Sequence, residues 1–198
     1  MTGLRSVGRL VTWRELQAET AELLPDHEAR WLVEAASGLD RLEWSGPATA
    51  EGVAHLAAMV ERRRAGEPLQ YVLGRWSFRG LDLIVDPRVL IPRPETEVVA
   101  EVAVVEARRR GGSSVVADLG TGSGALALAL AVELPGAEVW ATDISPAALA
   151  VARANLAAIG PDAAVRVHLA EGMWYEALPA GSRGRLRVIV SNPPYVAE

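Results

Sequence analysis

The chain has no cysteine in its 198 residues and only three histidines. A disulfide framework and a cysteine-ligated metal are therefore excluded, and the histidines are too scattered to give metal-ligand spacing. Long apolar runs are missing as well: residues 125–132 fall well short of a bilayer's width. Arg5 and Arg9 open the chain with positive charge, but no apolar stretch follows, so no secretory leader is read. There is no internal repeat and no low-complexity segment. These absences describe a soluble cytoplasmic protein with no metal and no membrane partner. An excess of positive charge is also absent. Lys and Arg number 20 against 25 Asp and Glu, for a net charge of −5 and a pI near 5.3. That balance runs against a protein living on nucleic acid. The basic clusters Arg62-Arg63-Arg64 and Arg108-Arg109-Arg110 each close a predicted helix ahead of glycine, where they complement the helix dipole.

What is present is hydrophobic sequence, 50% of the chain, enough for a core domain and a small companion. Residues 1–67 read as helical. Thr12 and Glu15 form a capping box that opens a helix over 13–24. Pro25 suits the first turn of a second helix running to 37, with Trp31, Leu32 and Ala35 on one face. A third spans 50–65, striped by Val53, Leu56, Ala57 and Val60 and stopped by Gly66. Residues 68–94 alternate around Gly80 as a hairpin over 76–85, then meet Pro87, Pro92 and Pro94. They read as a hairpin and linker. Residues 95–198 are α/β in pattern. A helix over 95–110 precedes strands at 115–119, 138–142, 165–169 and 186–191. Helices fill 124–133 and 146–159, the latter capped by Ser145 with Pro146 first. Strands alternating with helices predict a parallel sheet with right-handed crossovers.

Between the first of these strands and its helix lies Asp118-Leu119-Gly120-Thr121-Gly122-Ser123-Gly124. Glycines there let the backbone turn sharply and let a ligand approach the main chain. A dinucleotide fingerprint puts two residues between its second and third glycines; here Ser123 stands alone. S-adenosylmethionine carries a sulfonium and an amino-acid tail and no phosphate, and the acid Asp118 suits such a cation better than it suits a phosphate. The loop by itself also fits a tight turn with no ligand. Asp143 follows Asp118 by 25 positions at the end of the second strand, near the spacing at which an acid accepts from ribose hydroxyls. Helix capping is the competing role, but Ser145 already fills it.

The last strand runs into Ser191-Asn192-Pro193-Pro194-Tyr195. An amide or exocyclic amine nitrogen is a poor nucleophile, because its lone pair is delocalised. Two acceptors aimed at its two N–H bonds would turn that lone pair toward an electrophile. The Asn192 side-chain oxygen and the Pro193 carbonyl are the candidates, with Pro194 stiffening the turn. Tyr195 would pack on the flat group. Catalysis would come from placement and from acceptors facing the positive charge that develops on nitrogen. A Pro-rich turn that merely ends a strand has the same composition. Read with the glycine loop, the pair points to methyl transfer onto a planar NH2 nitrogen.

With these motifs the chain resembles the class I S-adenosylmethionine-dependent methyltransferases, and within them the release-factor glutamine N5-methyltransferases (the PrmC/HemK family). The likeness extends to residues 68–74 and to the family-specific stretch Val89-Leu90-Ile91-Pro92-Arg93-Pro94-Glu95-Thr96-Glu97. It implies a Rossmann-like sheet beside a helical domain that helps recognise the substrate. It implies that Gly120 to Gly124, Asp118 and Asp143 hold S-adenosylmethionine, leaving S-adenosylhomocysteine as product. Asn192, also near the cofactor, would join Pro193, Pro194 and Tyr195 in holding the glutamine of the Gly-Gly-Gln loop of class 1 peptide-chain release factors. Trp174 matches a position near the adenine, an ordinary buried Trp being its competing role. Where the family has an acid before that aromatic this chain has Met173, with Glu171 as a possible stand-in. The four strands read here also fall short of the complete family sheet, so a C-terminally truncated chain, weak or inactive, is expected. Its last strand would then be an unpaired apolar edge. Two alternatives stay open: an adenine-N6 methyltransferase on DNA or RNA, and a non-catalytic fragment that binds release factor through residues 1–67.

Overall fold

The computed structural model describes residues 11–109 and 114–193. The chain divides into two compact units, Met1–Leu73 and Gly74–Glu198.

The first unit is helical. Helix α1 (Trp13–Ala21) opens on the capping box read from the sequence: Thr12 Oγ1 accepts from the Glu15 N–H, and Glu15 returns to the Thr12 N–H at 2.9 Å. Helix α2 (Asp26–Ser37) begins one residue later than expected, because Pro25 is its N-cap and not its first residue. It ends on left-handed Gly38. Helix α3 (Ala50–Arg64) is capped by Thr49. Helix α4 (Leu69–Leu73) is an element the sequence reading left inside the linker. Leu69 and Val72 point into a core with Trp13, Leu32 and Leu56, so α4 is part of this unit and the compositional boundary at 67/68 shifts to 73/74. Gly52 is fixed by packing: a Cβ there would stand 2.5 Å from the Trp13 ring. Glu28, 8% exposed, is held by Arg63 at 2.7 and 2.9 Å, and that guanidinium keeps its carboxyl below the usual range.

The second unit starts with an antiparallel hairpin, β1 (Arg75–Phe78) and β2 (Leu81–Ile84). Its two turn residues, Arg79 and Gly80, both have positive φ, +46° and +76°, as a turn matched to strand twist requires. The Arg79 guanidinium repays that strain through Glu133, Glu101 and the Glu97 carbonyl. The hairpin is thereby anchored on α5 (Pro94–Arg109) and α6 (Ala125–Glu133).

The sheet is β3 (Val115–Leu119), β4 (Glu138–Asp143), β5 (Val167–Glu171) and β6 (Leu186–Val190), all parallel, in the order β5-β4-β3-β6. Helix α7 (Pro146–Leu156) joins β4 toward β5, with Ser145 accepting from the Ala148 N–H and Pro146 first, as expected. β5 lies two residues downstream of its predicted place. Pro161 starts a short helix α8 (Pro161–Ala164) after Gly160, and Val165 caps it, 74% exposed. Every residue of β3 is buried and α6 is apolar almost all round, which puts both at the centre of the core. Among the described residues β6 pairs with β3 alone, leaving the far edge of β6 without a strand. No helix of the described residues is long and apolar enough to cross a membrane.

Candidate active site

The carboxyl ends of the four strands open into a cavity of about 420 Å³, the place where open α/β sheets bind ligands. Its walls come from the loops after β3, β4, β5 and β6, closed by residues 88–92 and Thr96.

The loop after β3 is tied from behind. Gly120 and Thr121 both donate to the Thr142 carbonyl at 2.8 Å, and Gly122 donates to Asp143 Oδ2 at 2.9 Å. The Ser123 carbonyl accepts from buried Asn155 on α7 at 2.9 Å, and that same carboxamide pairs with both the N–H and the carbonyl of Ile84. Gly120 and Gly122 have φ of +77° and +56°, and among the described residues nothing beyond the adjoining ones lies within 4 Å of a Cβ built on either. A ligand can therefore reach the main chain there. Gly124 differs from these two glycines. It does not line the cavity, and its missing Cβ would stand 3.2 Å from Leu128 and 3.4 Å from Ala152. Its missing side chain lets α6 and α7 pack closely there.

Two acids face this loop. Asp118, 1% exposed, takes the Thr121 hydroxyl at 2.6 Å and the Ala127 N–H at 3.2 Å on Oδ2. Its Oδ1 is buried with no partner among the described residues. Burial pushes its carboxyl up to about 6, with the nearby Asp143 charge adding to the rise and the two hydrogen bonds opposing it. An orphaned buried oxygen on a cavity wall fits a cationic ligand group, which would supply the missing donor. Asp143 has a structural role at the end of β4. Its oxygens already accept from the Gly122 and Ser145 N–H groups at 2.9 Å each, so it pins the loop and starts the turn into α7. A carboxylate has about four acceptor sites, so ribose hydroxyls could still be taken.

Asn192 and Pro193 line the cavity from the end of β6, the strand beside β3. Ser191 fastens the turn, its hydroxyl donating to the Leu119 carbonyl at 2.6 Å. Asn192 Nδ2 donates to Thr96 Oγ1 at 2.7 Å, and among the described residues nothing donates to its Oδ1. The turn thus offers acceptors to the cavity. Pro194 and Tyr195 lie outside the described residues.

After β5, Gly172 has φ +153° and its Cβ would meet Ala177 at 2.9 Å, because the chain folds back tightly. Trp174 has φ +49°, rare for a bulky residue, and lines the cavity while 52% exposed, so it is not an ordinary buried Trp. Met173 lines the cavity as well. Glu171 does not: it ends β5 paired with Asp143, exposed, so it does not replace an acid at the cavity wall. Residues 88–92 and Thr96 form a wall to which sequence reading gave no role, although the stretch had stood out as family-specific. Asn155 had no sequence signal at all. Among the described residues no three His, Asp or Glu side chains gather as a metal site.

Residues 100–198 match the methyltransferase small domain, and residues 12–74 match the PrmC N-terminal domain. The chain is 46% identical over 190 residues to a release factor glutamine methyltransferase of Gloeobacter violaceus, covering 93% of this chain and 64% of that protein. With the protein of the same name from Bordetella pertussis it shares 47% identity over 179 residues, 88% of this chain and 63% of the relative. This chain therefore spans less than two thirds of the length of either. Among solved structures, the N-terminal domain of human METTL16 superposes with a TM-score of 0.49 at 14% identity, over 88% of this chain and 66% of that one.

Proposed function

Because this chain belongs to the methyltransferase small domain family and carries the PrmC N-terminal domain ahead of it, we propose that it methylates the side-chain amide N5 of a glutamine. The glutamine is that of the Gly-Gly-Gln motif of class 1 peptide-chain release factors, and the methyl donor is S-adenosylmethionine. The names of the relatives support the substrate class. One observation carries the chemistry: an Asn192 oxygen left free at a cavity whose lining also holds an open glycine backbone and an unpaired buried carboxylate oxygen.

On this reading Gly120, Thr121, Gly122 and Ser123 cradle the cofactor, Asp118 Oδ1 faces its cationic part, Asp143 takes its ribose and Trp174 borders its adenine. S-adenosylmethionine supplies a methyl on a sulfonium; as the amide nitrogen bonds to that carbon, the C–S pair leaves on sulfur, giving a neutral thioether. The chain's own part is positional. Asn192 Oδ1 and the Pro193 carbonyl accept the two N–H bonds, turning the nitrogen lone pair toward the methyl. They also face the positive charge that builds on nitrogen before it loses a proton to water. Pro194 and Tyr195 would border the flat carboxamide. The helical unit would contribute to recognition of the release factor, a cytoplasmic partner.

Transfer of labelled methyl from S-adenosylmethionine tests this. Label should enter a class 1 release factor, fail to enter one whose Gly-Gly-Gln glutamine is Ala, and fail to enter an adenine-containing oligonucleotide. Asn192→Ala should lower transfer about 10²- to 10³-fold, the scale of losing one transition-state hydrogen-bonding group, with S-adenosylhomocysteine affinity retained. Label on the oligonucleotide, or full transfer by Asn192→Ala, would overturn the reading.

A further inference from the structure

We propose that Thr96 is a positioning residue, which holds the Asn192 carboxamide at the cavity wall with Nδ2 engaged and Oδ1 left to a ligand; this rests on the role given to Asn192 above and deepens it. A carboxamide is nearly symmetric in shape. Rotated half a turn, it presents N–H groups where it had presented an oxygen. A substrate NH2 meets an acceptor in the first arrangement and a clash of donors in the second.

The local sequence does not make that choice. Asn192 follows β6 directly and precedes Pro193, which has no N–H to offer it. The partner that holds it lies 96 positions away, where Thr96 Oγ1 accepts the Asn192 Nδ2 proton at 2.7 Å; a hydroxyl can donate as well as accept, so what the contact fixes is the place of the carboxamide, in the arrangement that leaves Oδ1 outward. Thr96 is 5% exposed and stands in the first turn of α5, its own N–H donating to the Arg93 carbonyl at 2.9 Å. A threonine serving only its helix would turn its hydroxyl to a backbone group of that helix. This hydroxyl pairs instead with a different element across the cavity wall, and its β-branched side chain has few rotamers in which to do so. With Nδ2 engaged, Oδ1 is the atom left for a ligand. Replacing the hydroxyl by a methyl leaves Nδ2 facing an apolar group, and the amide gains by turning its N–H bonds toward the open cavity. That is the wrong polarity for an incoming NH2.

The test compares Thr96→Val, Thr96→Ala and Thr96→Ser with the wild-type chain. Thr96→Val and Thr96→Ala should lower kcat for methyl transfer about 10- to 100-fold, as loss of one buried hydrogen bond implies, with KM for S-adenosylmethionine unchanged. Thr96→Ser, which keeps the hydroxyl, should recover most of the rate. The second readout needs no turnover. The side-chain amide resonances of Asn192, identified by their disappearance in Asn192→Ala, should exchange slowly with solvent in the wild type and in Thr96→Ser. They should exchange fast in Thr96→Val and Thr96→Ala. Wild-type kcat in both hydroxyl-free variants, or amide signals that ignore the substitution, would overturn the role of Thr96. A wild-type chain that transfers nothing would count against the proposed function instead, and the amide exchange would still decide on Thr96.

Discussion

On the β3–β4 side of the cavity, the loop from Gly120 to Ser123 is held by the Thr142 carbonyl, Asp143 Oδ2, the Asp118–Thr121 bond and Asn155. On the β6 side, the described turn hangs on the Ser191 hydroxyl and the Thr96–Asn192 bond. The first side is held at several points, by the Thr142 carbonyl and by the side chains of Asp143, Asp118 and Asn155, so its shape is shared among several ties. The second uses one side-chain pair from distant parts of the chain, so its chemistry is exposed to a single substitution. A wall that must only cradle can be built redundantly. A wall that must present an acceptor in one orientation depends on the one group that holds it.

The largest expected effect tests the redundancy of the first side. Asn155→Leu strands three backbone groups, the Ile84 N–H and carbonyl and the Ser123 carbonyl. A loss of about 4 kcal/mol of stability should follow, from roughly 1 to 3 kcal/mol per buried unpaired group. Denaturant melts measure it, and a loss too small to resolve would show that the loop does not need this tie. Next is the buried acid. Asp118 has its carboxyl raised from 3.8 to about 6 in the fold, so the folded state holds the extra proton between those values. The contribution of this carboxyl to stability is therefore fullest below about pH 4 and is lost as pH rises through 6, by on the order of 3 kcal/mol. Melts across pH 4–7 should show this slope in the wild type and not in Asp118→Asn. Binding of S-adenosylhomocysteine, whose amine is cationic, should strengthen over the same rise in pH. A flat profile would place that cation elsewhere. The smallest effect is Asp143→Ala, expected to weaken S-adenosylhomocysteine by about 2 kcal/mol, roughly 30-fold. Calorimetry reads it directly, and unchanged affinity would leave Asp143 a loop tether only.

What was legible in the sequence was local. The Thr12–Glu15 box, the Ser145–Pro146 start and the turn at Gly80 are decided within a few residues, and the structure has each of them. The order of strands and helices followed from the same short-range patterns. Helix α4 was missed because Pro68 and Gly74 enclose only five residues, too few to show a period. The two-residue shift of β5 arose because Val165 is β-branched and apolar, yet caps α8 in solvent. Asp118, Gly120, Asp143 and Asn192 announced themselves by residue type and spacing. Thr96 and Asn155 act through partners 96 and 71 or 32 positions away, and no window of sequence contains both ends.

The Ser191 hydroxyl rests on the carbonyl of Leu119, while Gly120 and Thr121 hang from that of Thr142. Those carbonyls sit at the tips of adjacent strands locked in register. The glycine loop and the Asn192 turn are thus mounted on the same few peptide units, and a displacement of those units carries both together. For a transfer that spans one short bond-making distance, coupling the two reactants to a common mount converts thermal motion of the scaffold into harmless translation.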